Sequence, residues 1–185
     1  MRFEIESAVK ALNNGGLILY PTDTVWGIGC DATNYDAVEK IFEIKNRKSN
    51  NALICLVQNI NMLRNYIFEL PKEIESLINE PKPTTIIYSN PKGVAHNLIH
   101  EDNTLGIRIP NHEFCYKLLG EFGKPIVSTS ANISQSPTPS KYSEITTTIL
   151  EGVDHIVNLQ KEEISSSPSR IYKIDEKGKL QKIRE

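Results

Sequence analysis

Cysteine is scarce. Three thiols, Cys30, Cys55 and Cys115, are spread through 185 residues in apolar surroundings, an odd number too widely spaced for a disulfide framework or a metal centre. They read as reduced core residues. Long apolar runs are missing too: no stretch approaches the roughly 18 residues a membrane span requires, and the opening MRFEIESAVKALNNGG is a charged amphipathic pattern without a signal-peptide core. The chain is therefore expected in the cytoplasm, with no membrane partner. Charge of one sign is absent as well. With 21 basic and 23 acidic residues and a net charge of −2, no global positive field marks a nucleic-acid binder, and any RNA contact must be local. There is no internal repeat or linker, and the length suits one domain.

The familiar catalytic signatures are missing next. There is no GxxxxGK[ST], and Gly27-Ile28-Gly29 lacks the third glycine of a dinucleotide fingerprint. His96 and His100 have helical spacing, but Asn97 stands where a zinc protease needs its glutamate, so HNLIH reads as surface decoration. No serine of STSAN has flanking glycines. What remains is an inventory of cations, hydroxyls and amides without an obvious base or nucleophile. That inventory suits a reaction driven by positioning and charge neutralisation, as phosphoryl and nucleotidyl transfer are.

The chain is organised around Tyr20 to Asn51, YPTDTVWGIGCDATNYDAVEKIFEIKNRKSNN. An apolar strand, Leu17 to Tyr20, follows Gly15-Gly16 and ends at Pro21; Thr22, Asp23 and Thr24 then offer two hydroxyls and a carboxylate. Gly27 and Gly29 permit a turn or a close backbone approach. A helix capped by Asn34, with Ala37, Val38, Ile41, Phe42 and Ile44 buried, delivers Lys45 and Arg47 at its end. These two cations suit either the helix dipole or a phosphate grip.

Elsewhere, Phe3 to Leu12 reads as a helix, with Phe3 on its buried face. Asn59 caps a short helix, and Pro71 opens another to about Ile78. Ala52 to Val57, Thr84 to Tyr88, Leu105 to Ile109, Pro125 to Val127, Ile156 to Leu159, Arg170 to Ile174 and Lys179 to Ile183 read as strands. Arg108 alternates with Ile107 and Ile109, which places it on a solvated face or in an anion site. Asn111 is the expected cap of a helix ending at Gly123, and Glu144 to Leu150 a further helix. Ser128 to Ser134 leaves a strand at its carboxyl end, where α/β folds bind ligands, and Ser136 to Ser143 reads as a flap or surface loop.

Taken in order, YPTDTVWGIGCDA, KNRKSNNAL, TLGIRIPNH, STSANIS and SPTP resemble the YrdC-like family of L-threonylcarbamoyladenylate synthases, over about Gly15 to Arg184. The resemblance implies an α/β fold: a single-domain twisted sheet of mixed parallel and antiparallel strands, with helices, around a deep concave cavity over 1–185. It implies a nucleotidyltransferase joining L-threonine, bicarbonate or CO2, and ATP into threonylcarbamoyl-AMP and pyrophosphate. That product serves the threonylcarbamoyladenosine modification of tRNA. By the same resemblance, Lys45, Arg47, Ser130 and Asn132 form the catalytic tetrad. ATP contacts fall on Arg47, Asn51, Thr104, Ser130, Thr138 and Arg184, and threonine contacts on Thr24, Arg108, Ser128 and Ser169. Mg2+ would ride on the ATP, with no tightly bound cofactor and no protein metal site. The implied partners are the tRNA-modifying transferase machinery that accepts the adenylate and a weak tRNA contact. Trp26, Lys82, Thr84 and Gln135 depart from the family pattern, Gln135 replacing a glycine. The chain resembles the short form, without a further C-terminal domain. The rivals are an RNA-binding module of the same fold and the carbamoyl-adenylate activity of hydrogenase-maturation carbamoyltransferases.

Overall fold

Hydrophobic alternation and helical stripes resolve into one mixed sheet flanked by helices. The computed structural model describes residues 1–47, 53–71, 74–165, 167–175 and 178–185. In chain order these contain α1 (Arg2–Asn13), β1 (Ile18–Tyr20), β2 (Gly27–Gly29), α2 (Tyr35–Ile44), β3 (Ile54–Leu56), α3 (Ile60–Arg64), α4 (Ile74–Ile78) and β4 (Thr84–Ser89). There follow β5 (Thr104–Arg108), α5 (Glu113–Phe122), β6 (Ile126–Ser130), α6 (Thr147–Glu151), β7 (His155–Ile156), β8 (Arg170–Ile174) and β9 (Leu180–Arg184). The strand order is β7-β1-β2-β6-β3-β5-β4-β8-β9. The β1–β7, β3–β5 and β4–β8 pairs are parallel and the others antiparallel, so the sheet is mixed, as expected.

The sheet separates two apolar layers. On one side, Ala37, Val38, Ile41 and Phe42 of α2 and Ile149 of α6 pack on Leu17, Leu19, Ile28, Cys55, Ile86 and Ile107. On the other, Ile5, Ala8 and Leu12 of α1 meet Phe114, Cys115, Leu118 and Leu119 of α5 over Ile18, Tyr20, Leu56 and Ile126. Each fully buried aliphatic or aromatic side chain contributes roughly 1.5–3 kcal/mol. The three thiols are free and buried, and burial pushes each above the usual thiol range. Because strand side chains alternate, Ile54, Gly106 and Arg108 share the α1/α5 face, and Ile54 and Arg108 line a hollow at the margin of that layer. There the sheet is concave and open.

Several expectations need correction. Phe3 is exposed, and Ile44 is only half-buried. The cap of α5 is His112, whose Nδ1 accepts the Cys115 N–H, rather than Asn111. The helix read over Glu144 to Leu150 contracts to α6, preceded by a 3-10 turn at Tyr142–Glu144. Gly27 and Gly29 form no turn: they lie in β2, between β1 and β6. At Gly29 a Cβ would stand 2.6 Å from the Val127 carbonyl and 2.8 Å from the Tyr20 ring. Close packing rather than a turn therefore requires glycine there.

Candidate active site

The concave face holds two adjoining hollows of about 220 and 500 Å3, which share Leu53, Ile54, Ser169 and Arg184 in their walls. The smaller is floored by polar groups. Thr24, Arg108, Ser128 and Ser169 all line it, together with Ser130, Thr138 and Arg184. Seven of the residues expected from sequence thus converge from β5, β6, β9 and the loops after β1, before β8 and after β6. The larger hollow carries Thr104 and Arg184 on walls of Ile54, Ile87, Leu98, Leu105, Ile171 and Ile183.

Local chemistry fixes these side chains. Arg108 ends β5 on the face opposite Ile107 and is only 3% exposed, so the solvated-face reading does not hold. Its Nη1 donates to Asp23 Oδ1 at 2.5 Å, while its Nε is buried without a partner. Thr24 is held by Thr22: the two hydroxyl oxygens are 3.0 Å apart, and the Thr24 N–H donates to Thr22 Oγ1. Thr22 in turn donates to the Val25 carbonyl. The Ser169 hydroxyl is 2.8 Å from that of Thr85, and its carbonyl accepts both Nε and Nη2 of Arg184. Arg184 is therefore exposed yet tethered at the mouth. At Gly27 a Cβ would come within 3.2 Å of Ser128 Oγ, so the glycine keeps the floor beside that serine open.

Lys45, Arg47 and Asn132 stand behind this floor rather than among its lining residues. Asn34 caps α2 by accepting the Ala37 N–H, and the helix ends at Lys45, whose Nζ donates to the carbonyls of Ser130 and Asn132 at 2.5 and 2.6 Å. The Lys45 carbonyl accepts the Ser134 N–H at 2.9 Å. Lys45 is thus sewn to the exit of β6. Burial, with the nearby charge of Arg47, pushes its pKa down to about 8, and burial also lowers that of Arg47. Asn132 donates to the carbonyls of Ile133 and Ser136. Its Oδ1 and the Ser134 hydroxyl are buried without partners. The flap is anchored where Tyr142 packs against Trp26, ring centroids 5.1 Å apart. Asn51, also expected at the nucleotide, lies outside the described residues.

Sequence reasoning assigned no site role to Asp23 or Thr85. Asp23 was visible only as a carboxylate in the Pro21 to Thr24 segment; its pairing with Arg108, 85 positions away, left no local signal. Thr85 stands opposite Arg108 in the β4–β5 register, which sequence does not disclose. Among the residues lining the smaller hollow there is no carboxylate side chain. Asp102, beside the larger one, is occupied by Thr104, Lys173 and His100. Among the described residues no group of three or more His, Cys, Asp or Glu could hold a metal ion, and no helix is long and apolar enough to cross a membrane. Hydroxyl donors, a paired guanidinium and further cations can bind a carboxylate and phosphates without a protein-held metal.

The chain is similar to known proteins over most of its length. A family model named Sua5_yciO_yrdC and described as "Telomere recombination" matches residues 10–185. The threonylcarbamoyl-AMP synthase of Pseudoalteromonas translucida (strain TAC 125) is 33% identical over 158 residues, covering 83% of this chain and 84% of that one. The structure of P. abyssi Sua5 complexed with L-threonine is similar with a TM-score of 0.83 at 27% identity, covering 94% of this chain and 51% of that one. This chain therefore spans about half of that protein. E. coli YciO is similar with a TM-score of 0.84 at 26% identity, covering 100% of this chain and 89% of its own.

Proposed function

The chain belongs to the Sua5/YciO/YrdC family, and from that membership and the polar cavity we propose that it is a threonylcarbamoyl-AMP synthase. The observation that carries this reading is a buried guanidinium with an unpartnered Nε, set among the hydroxyl-bearing Thr24, Ser128 and Ser169 at the bottom of a hollow. A carboxylate suits the guanidinium, and the hydroxyls can read an amino acid that has a hydroxyl of its own. L-Threonine binds there, and ATP lies across the mouth and the larger hollow, contacting Thr104, Ser130, Thr138 and Arg184.

In this mechanism the threonine amine attacks CO2, derived from bicarbonate, and loses a proton to give a carbamate. A carbamate oxygen then attacks the α-phosphorus in line. The bond from that phosphorus to the bridging oxygen breaks, and pyrophosphate leaves. Arg108 and the hydroxyls hold threonine, Ser130 and Arg184 orient the nucleotide, and Arg47 neutralises charge near the loop. Lys45 and Asn132 act by shaping that loop. With no obvious base in the smaller hollow, the protein's contribution is orientation, charge neutralisation and exclusion of water. Magnesium bound to the triphosphate supplies further charge neutralisation, and its ligands would be phosphate and water rather than protein carboxylates. Residues 1–185 work in this reading as one YrdC-like domain in the cytoplasm, passing the adenylate to a tRNA-modifying transferase with a weak tRNA contact. Pyrophosphate release from ATP in the presence of magnesium and bicarbonate tests it: release should require threonine. Equal release without an amino acid would count against the reading.

A further inference from the structure

Asp23 and Arg108 form an ion pair buried at the bottom of the cavity, their side chains 6% and 3% exposed. Leaving either charge alone there would be strongly unfavourable, so the pairing has a structural rationale. Its geometry goes further. One carboxylate oxygen accepts from Arg108 Nη1 at 2.5 Å, and the other accepts the Asn111 N–H at 3.1 Å. The carboxylate is thus fixed at both oxygens, one of them by backbone that directly follows β5. Asp23 comes from the segment that also carries Thr22 and Thr24, which line the hollow, whereas Asp23 itself is not among the lining residues. It holds the guanidinium from behind.

A guanidinium is a rigid planar fork, so gripping one nitrogen fixes where the rest of the plane points. Asp23 takes Nη1, and the Nε edge is left buried and without a partner. A buried unpaired donor is costly, and such donors ordinarily have partners. We propose that Asp23 is a positioning residue that turns the Nε edge of Arg108 toward the ligand's carboxylate, so that this edge, rather than the end already occupied by Asp23, receives the amino acid. This rests on the synthase reading for the identity of the ligand. The neutralised pair also makes the site favour a carboxylate of the right geometry over anions attracted by charge alone.

The test is steady-state kinetics on Asp23→Asn, Arg108→Lys and the double variant, with threonine and ATP varied separately. Asp23→Asn keeps the shape but removes the charge and one of the two acceptor oxygens. It should raise the KM for threonine by about tenfold, as loss of a charge-assisted bond does, with the KM for ATP moving less than about twofold. Because Asp23 acts through the fork, the double variant should be no worse for threonine than Arg108→Lys alone. Multiplying effects in the double variant, or an unchanged threonine KM in Asp23→Asn, would overturn the inference while leaving the synthase reading standing. A parallel rise in both KM values would reduce Asp23 to a general structural support and would overturn it as well. Wild-type protein that shows no threonine dependence would remove both proposals, and that is read before any variant is made. If Asp23→Asn does not fold, Asp23→Glu keeps the charge while displacing the carboxylate by one methylene; an unchanged threonine KM in it would again overturn the inference.

Discussion

Lys45 offers a stability test whose sign can be worked out in advance. Lys45 is 1% exposed and its ammonium donates to the carbonyls of Ser130 and Asn132, and burial beside Arg47 lowers its pKa from 10.5 to about 8. In the unfolded chain the amine holds its proton up to the ordinary value, so between about pH 8 and 10.5 the unfolded state binds more protons than the native one. Stability contributed by this group therefore rises with pH across that window. It is fully present above 10.5 and lost as pH falls through 8. Moving from 10.5 to about 8 corresponds to about 3 kcal/mol. The perturbation is Lys45→Met, which keeps much of the volume and removes the titration. At neutral pH it deletes two charge-assisted bonds, each worth about 1.5–3 kcal/mol, but also relieves the cost of burying the charge. Its net penalty at pH 7 should therefore be modest, about 1–3 kcal/mol. Urea unfolding of both proteins at intervals from pH 7 to 10 is the assay. Buried thiols and tyrosines titrate in both proteins, and the difference between the two curves cancels them. The stability gap should widen with pH by up to about 3 kcal/mol. Parallel curves would refute both the buried charge and its sign.

Three further outcomes follow from single contacts. Arg108→Ala should weaken threonine binding by about 1.5–3 kcal/mol, read as a rise in threonine KM with ATP KM little changed. Gln135 adopts a φ of 70°, where a side chain is strained and glycine is not; Gln135→Gly should stabilise by about 0.5–1 kcal/mol, seen as a higher Tm. Gly29→Ala should destabilise by about 1–3 kcal/mol or more, because its Cβ would meet the Val127 carbonyl at 2.6 Å. An unchanged Tm there would contradict the packing described for β2.

Features encoded over a few residues were the ones legible in sequence. Asn34 accepts from Ala37 three positions on, and Gly123 ends α5 with a φ of 73°; both are local and were read correctly. Alternation placed Arg108 away from Ile107, but whether that face met water or a cavity depended on where α1 and α5 end over the sheet, a long-range matter. Asn111 and His112 can both accept a backbone N–H, and only the path of the chain out of β5 selected His112. Gly27 and Gly29 carry the same letters for a turn as for a strand pressed between two others. The convergence of Thr24, Arg108, Ser128 and Ser169 came through resemblance rather than periodicity. The Asp23–Arg108 and Thr85–Ser169 pairings required the sheet register. The Lys45 side chain illustrates the remaining gap: its position at a helix end was legible, but not its turn toward two carbonyls of the β6 exit.

The most direct measurement is mass spectrometry of the nucleotide product formed from ATP, magnesium, L-threonine and carbon-13 bicarbonate. Threonylcarbamoyl-AMP carrying the label at its carbamoyl carbon, with an equal amount of pyrophosphate, is the predicted result. Folded protein that yields no labelled adenylate under these conditions would contradict the proposed synthase.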